Sequence, residues 1–276
     1  MKKVAVPTDF SECSKNAVVY AAGLLKEMGG GVLELIHIYM PNIDAEYPVF
    51  VPPVNDFIKE KEETLRLFVE GIQHQEFIDE SLINVKQVFV VGFPAEEICQ
   101  LSSNYDLMVM GKTGSSNILD KFFGSVSTTV AEKSKCPVLL IPEDMVFTPI
   151  RKLMFGSNYE SIKHTVLSKL INFNSYFNAK LHFVHIADSS SESFQDEAQV
   201  IIEEMMNNEW SSTPFEISEI KADSVIEGFN QYVKANSIDI LILVNINKSI
   251  LEHIFERSTT KAMAFQIKIP LMIYHL

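Results

Sequence analysis

The 276-residue chain has little cysteine, few basic residues for its acidic ones and no long apolar run, and each shortage removes a class of protein. Its three cysteines, Cys13, Cys99 and Cys136, are odd in number, far apart and without a CxxC pair, so a disulfide framework, a zinc ribbon and a thioredoxin-type centre are excluded. The thiols are read as small packing groups. No stretch nears the roughly 18 consecutive apolar residues of a membrane span, and MKKVAVPTDF runs straight into a strand pattern without a signal-peptide core, so the expected address is cytoplasmic. Lys and Arg number 23 against 36 Asp and Glu, a formal charge of −13, and the acidic excess is present on both sides of Met145. A chain of that sign repels phosphate backbones and acidic membranes, so no nucleic acid and no membrane is expected as a partner. An anionic ligand has to be held by local groups. The dinucleotide fingerprint GxGxxG is missing. Gly111-Lys112-Thr113 fails as a P-loop because Asp106 stands where the first glycine is required.

What is present is ordinary globular material written twice. Apolar types make up 47 % and charged types 21 %, enough for two cores without a metal or disulfide staple. MKKVAVPTDFSECSKNAV is answered by IRKLMFGSNYESIKHTVL from Ile150: a basic pair, a short apolar strand, a small polar turn, a helix. GGGVLELIHIY is answered by NAKLHFVHIAD, and NYDLMVMGKTG by SIDILILVNINK. Each copy closes on an apolar strand, KCPVLLIPE and KIPLMIYHL. Repetition in the same order is a duplication, with domains at 1–145 and 146–276.

In the first copy the apolar runs at 3–7, 32–38, 85–91, 107–110 and 137–141 are short and nearly continuous, the pattern of strands buried on both faces. Helical periodicity lies between them. Ala17, Ala21, Leu24, Leu25 and Met28 share a face behind Ser11 as N-cap, and further helices are expected over 55–78, from Pro94 and from Ser125. The second copy predicts helices near 160–176, 193–209, 223–236 and 256–266. Alternation of strand and helix gives α/β, with open parallel sheets flanked by helices. The closing strands, both apolar edges, are expected to pair with each other in an intramolecular pseudo-dimer. The proline-rich segment 41–53 leaves strand two and is expected beside the ligand site.

In such sheets ligands bind beyond the carboxyl ends of strands where connections diverge. That rule selects PTDFS at 7–11 and GKTGSSNILDKFFGSVST at 111–128. Glycines at 111, 114 and 124 let backbone approach a ligand, and the following helix N-terminus adds donors suited to a polyphosphate. The same glycines could equally serve tight turns. Asp9 reads alone as an Asx-turn residue, with a ribose or adenine contact as the alternative. His182 and His185 point to opposite faces of a strand, His37 matches His185 in the other copy, and strand-end packing is favoured over a metal role for all three. No GxSxG elbow or other nucleophile arrangement stands out, so no catalytic residue is assigned.

These residues resemble the universal stress proteins of the UspA type in their tandem form, through VPTDFSECSKNA and through Gly111-x2-Gly114-x9-Gly124-Ser125, the pattern of the family's ATP-binding members. The resemblance implies two five-stranded parallel sheets of order 3-2-1-4-5. It implies a site formed by Pro7, Thr8 and Asp9 after strand one, Ile38 at the end of strand two, Met110, Gly111, Lys112 and Gly114 around ribose and phosphate, and Gly124, Ser125, Val126 and Ser127 at a helix N-terminus. The implied ligand is ATP or a related adenine nucleotide, with or without Mg.

The second copy departs from the pattern. Gly156, Ser157 and Asn158 replace Pro7, Thr8 and Asp9; Asn245, Lys248 and Arg257 are matched to the three glycines; only Ser258 of the motif remains. No ATP is expected there. The implied function is a nucleotide-dependent regulator in stress response, with an unidentified protein partner and a homodimer as further expectations. A slow ATPase or phosphotransferase and a ligand-free scaffold are the rivals.

Overall fold

The computed structural model describes residues 2–41, 54–112, 125–157, 162–187, 194–207, 210–245 and 268–275. The chain divides into two compact units, one ending at Phe147 and the other beginning at Thr148.

The first unit holds β1 (Lys3–Pro7), α1 (Glu12–Glu27), β2 (Gly31–Tyr39), α2 (Val54–Gln73), β3 (Ile83–Val91), α3 (Pro94–Leu101), β4 (Leu107–Lys112), α4 (Ser125–Lys133) and β5 (Val138–Pro142). Its strands pair in parallel in the order β3-β2-β1-β4-β5. Right-handed crossovers place α1 and α2 over one face and α3 and α4, which pack together, over the other. Val4, Ala5 and Val6 of the central strand are completely buried, as are Leu139, Leu140 and Ile141. β3 differs from the expectation of burial on both faces. It is an edge strand, and Ile83 and Val85 are buried while Asn84 and Lys86 are exposed.

The second unit repeats the order with β6 (Lys152–Ser157), α5 (His164–Asn174), β7 (Lys180–Ala187), α6 (Phe194–Asn207), β8 (Phe215–Lys221), α7 (Val225–Asn236), β9 (Ile240–Asn245) and β10 (Leu271–His275). All its pairings are parallel, in the sequence β8-β7-β6-β9-β10. The helix expected over 256–266 lies outside the described residues.

Matching polar contacts show the duplication at the level of single bonds. Asp106 Oδ2 accepts from the backbone N–H of Lys3 at 2.8 Å, and Asp239 Oδ2 accepts from that of Lys152 at 2.8 Å. Each ties the start of the first strand to the start of the fourth. This register corrects one sequence match. Val4 pairs with Leu107 and Leu153 with Ile240, so the residue opposite Gly111 is Val244, and Asn245 falls opposite Lys112. Register also aligns buried Glu34 with buried His182. Glu34 is held by Lys3 at 3.1 Å and by the Tyr105 hydroxyl at 2.8 Å, whereas His182 Nδ1 lies 2.9 Å from the Tyr232 hydroxyl.

Candidate functional site

β1 and β4 are neighbours in the sheet, but their connections leave toward opposite faces, and the crevice this opens at their carboxyl ends is the candidate site. The loop after β1 is built by side chains that replace lost ladder bonds. Thr8, buried, accepts from the Phe10 amide at 3.0 Å, and its hydroxyl lies 3.0 Å from that of Ser14. Asp9 Oδ1 accepts from both the amide and the hydroxyl of Ser11, the Asx turn anticipated from sequence. Burial pushes the Asp9 carboxyl up, but the Ser11 and Ser14 hydrogen bonds outweigh it and hold the group below the usual carboxylate range. Ser11 in turn caps α1, its side chain accepting from the Ser14 amide.

A cavity of about 320 Å³ opens beside this loop. It brings together Pro7, Thr8 and Asp9 with Ile38 of β2, Met110 and Gly111 of β4, and Val126 and Ser127 in the first turn of α4. Lys112, next along β4, does not line it; burial draws its ammonium down to about 8. Ser125 opens α4, and Gly114 and Gly124 lie outside the described residues, as does most of the proline-rich segment.

Gly111 has a specific reason to be glycine. A Cβ there would come within 2.5 Å of the Cys13 carbonyl oxygen and 2.6 Å of its sulfur, so the missing side chain lets the first turn of α1 sit directly against the end of β4. The second copy carries Val244 at this position, and α5 starts at His164, seven residues past Ser157, whereas α1 starts at Glu12, four past Thr8. α5 thus begins later than the 160 expected from sequence.

Several cavity residues were not anticipated: Ser11, Cys13 and Ser14 from the first turn of α1, His37 from β2, and Pro94 and Ile98 from α3. The first three belong to the run VPTDFSECS and were within reach of the motif. Nothing in the sequence near Pro94 signals that α3 crosses to this end of the sheet. Cys13 is buried, and burial, with Glu143 and Asp9 nearby, pushes its thiol up to about 11. Asp9 is the one carboxylate that lines the cavity among the described residues.

Backbone geometry adds a recognition edge. The last rung between β1 and β2 is Thr8 N–H to Ile36 O at 2.8 Å, and the Tyr39 carbonyl turns the other way, to Gly92 N–H of the β3 end. Alternation along a parallel strand then points both Ile38 backbone groups toward the side where β1 has ended. The first turns of α1, α3 and α4 also reach the cavity, so three helix N-termini converge on one apolar cleft.

Fold and cleft define a class: a tandem doubly wound α/β protein with a switch-point pocket in its first half. The model of the Universal stress protein family matches residues 1–142, and the chain belongs to that family. It is 30 % identical over 153 residues to a universal stress protein of Methanocaldococcus jannaschii, covering 51 % of this chain and 94 % of that protein. A universal stress protein of Synechocystis is 21 % identical and aligns over 99 % of this chain and 100 % of its own length. Among solved structures, a universal stress protein from Archaeoglobus fulgidus has the same fold with a TM-score of 0.77, 17 % identity, and coverage of 99 % of this chain and 97 % of that one. Among the described residues, no helix is long and apolar enough to cross a membrane, and no group of three or more His, Cys, Asp or Glu could hold a metal ion.

Proposed function

We propose that the first unit binds an adenine nucleotide of the ATP type in the switch-point cavity, and that the protein acts as a cytoplasmic nucleotide-dependent regulator in stress adaptation. The observation that carries this reading is the cavity lining. Eight residues that the family resemblance implies meet around it: Pro7, Thr8, Asp9, Ile38, Met110, Gly111, Val126 and Ser127. The Ile38 N–H and C=O form a donor and acceptor pair suited to an adenine edge, while Met110, Pro94 and Ile98 supply apolar walls for a flat base. The converging helix N-termini supply positive potential and backbone donors for phosphate within an otherwise acidic chain.

Binding is favoured over rapid turnover by the groups available. The Asp9 carboxylate is committed to Ser11, and the Cys13 thiol stays protonated near neutrality, so the described lining offers neither an unengaged carboxylate nor a thiolate nucleophile. Calorimetry with ATP tests the reading. One nucleotide per chain is expected, with binding abolished by Gly114→Asp, which puts a side chain and a negative charge into the glycine motif. A stoichiometry near two, an unaffected Gly114→Asp variant, or phosphate release at a sustained catalytic rate would overturn it.

A further inference from the structure

We propose that His37 is a positioning residue for the ligand: by holding the Thr8 carbonyl and the Phe10 ring, its imidazole sets the loop Thr8–Ser11 in the conformation that lines the cavity. The ligand in this statement rests on the nucleotide reading; the clasp on the loop does not.

β1 makes its last ladder bond at Thr8 N–H, and the chain must then turn into α1. The Thr8 carbonyl, which would continue the ladder, lies 2.8 Å from His37 Nδ1. A carbonyl can only accept, so Nδ1 carries a proton, and of the two neutral tautomers the contact selects the one protonated there. Two residues on, Phe10 has φ of 67°, a left-handed backbone that a bulky side chain rarely adopts. Three contacts hold it there. Its amide donates to Thr8 Oγ1 at 3.0 Å, its ring lies on His37 with centroids 4.4 Å apart, and its edge meets Phe68 of α2 at 5.3 Å. One imidazole therefore grips the loop twice, through a hydrogen bond to the residue before Asp9 and a ring contact to the residue after it. Asp9 and the Ser11 cap of α1 depend on that turn, and His37 itself forms part of the cavity wall.

The second copy argues that a histidine here is more than filler. His185 occupies the register position of His37, but its Nδ1 lies 2.8 Å from a Glu197 oxygen of α6. The same ring atom serves a helix in one copy and the site loop in the other.

The test separates donor from ring. His37→Phe keeps the aromatic contact and removes the donor, whereas His37→Asn restores an N–H near the Nδ1 position. In ligand-free protein, His37→Phe is expected to speed hydrogen exchange at the Phe10 and Ser11 amides about tenfold and to weaken ATP binding by a similar factor, with His37→Asn returning both toward the parent. Nitrogen NMR of the parent should show the Nδ1-protonated tautomer. Unchanged exchange in His37→Phe, a His37→Asn variant as loose as His37→Phe, or a ring protonated at Nε2 alone would overturn the clasp. Normal exchange effects with undiminished ATP affinity would overturn its role in positioning. A parent protein that binds no nucleotide would sink the ligand reading and with it the positioning role, while exchange would still decide the clasp.

Discussion

Gly111 is the residue at which packing and the proposed binding meet. It belongs to the glycine motif, yet the structure gives it a duty that does not involve a ligand, because α1 leaves no room for a Cβ beside Cys13. Backbone atoms form the tightest part of that contact, so a methyl group cannot be absorbed by rotating a side chain. Gly111→Ala is therefore expected to push the first turn of α1 outward and to cost about 1–3 kcal/mol, as overpacking does. A urea titration would read this as a lower midpoint. ATP affinity should fall with it, since Ser11, Cys13 and Ser14 move away from the cavity. An unchanged midpoint would mean that α1 can shift without loss.

At the scale of the element, α1 links the site to the segment leading out of the first unit. Ser11 and Cys13 at its start face the cavity. One turn further on, Asn16 Nδ2 donates to the Pro142 and Met145 carbonyls, each at 3.1 Å. Tyr20 meets the Phe147 ring edge-on at 5.2 Å, and Gly23 lies where a Cβ would reach within 2.5 Å of that ring. Asn16, Tyr20 and Gly23 follow helical spacing along one stripe, so residues 142–147 are laid down on α1 and are not a free linker. Phe147→Ala strips a half-buried ring from this stripe. It is expected to destabilise the first unit by about 1–3 kcal/mol and to speed proteolytic cutting within 143–149. Equal cutting rates in variant and parent would refute the contact's importance.

The whole molecule has a weakness on the acid side, and it lies in the second unit. His182 is 2 % exposed, its Nε2 has no hydrogen-bond partner among the described residues, and burial is the main force holding its pKa below the ordinary 6.5, with Glu216 opposing and Lys180 and Lys152 reinforcing. In the unfolded chain the ring protonates first, so the stabilising contribution is complete above about pH 6.5 and is lost as pH falls toward the depressed folded value. The expected slope approaches, at most, about 1.4 kcal/mol per pH unit in that window. Urea midpoints of the parent and of His182→Gln, measured between pH 7 and 5, check this: the parent should lose more on acidification. Parallel curves would remove His182 as the cause.

Much of this architecture was legible in the sequence. Period and repetition are local properties of the chain, so the near-continuous runs of β1 and β5, the buried face of α1 behind Ser11, and the duplication itself follow from residue order alone. The adjacency of the loop after β1 and the end of β4 came only through family resemblance. Strand order depends on which edges pair, and no short-range pattern records that. Other features were decided by tertiary structure alone. Register moved the counterpart of Gly111 from Asn245 to Val244, a one-residue shift that only strand pairing could fix. Pro94 and Ile98 entered the cavity because the crossover from β3 to β4 carries α3 over the sheet. His37 owes its contacts to the fold, because Thr8 and Phe10, 29 and 27 positions away in the chain, were brought against its Nδ1 and its ring face. Sequence fixes what each segment can bury; close packing decides which polar atoms are left facing one another, and the site is made of those.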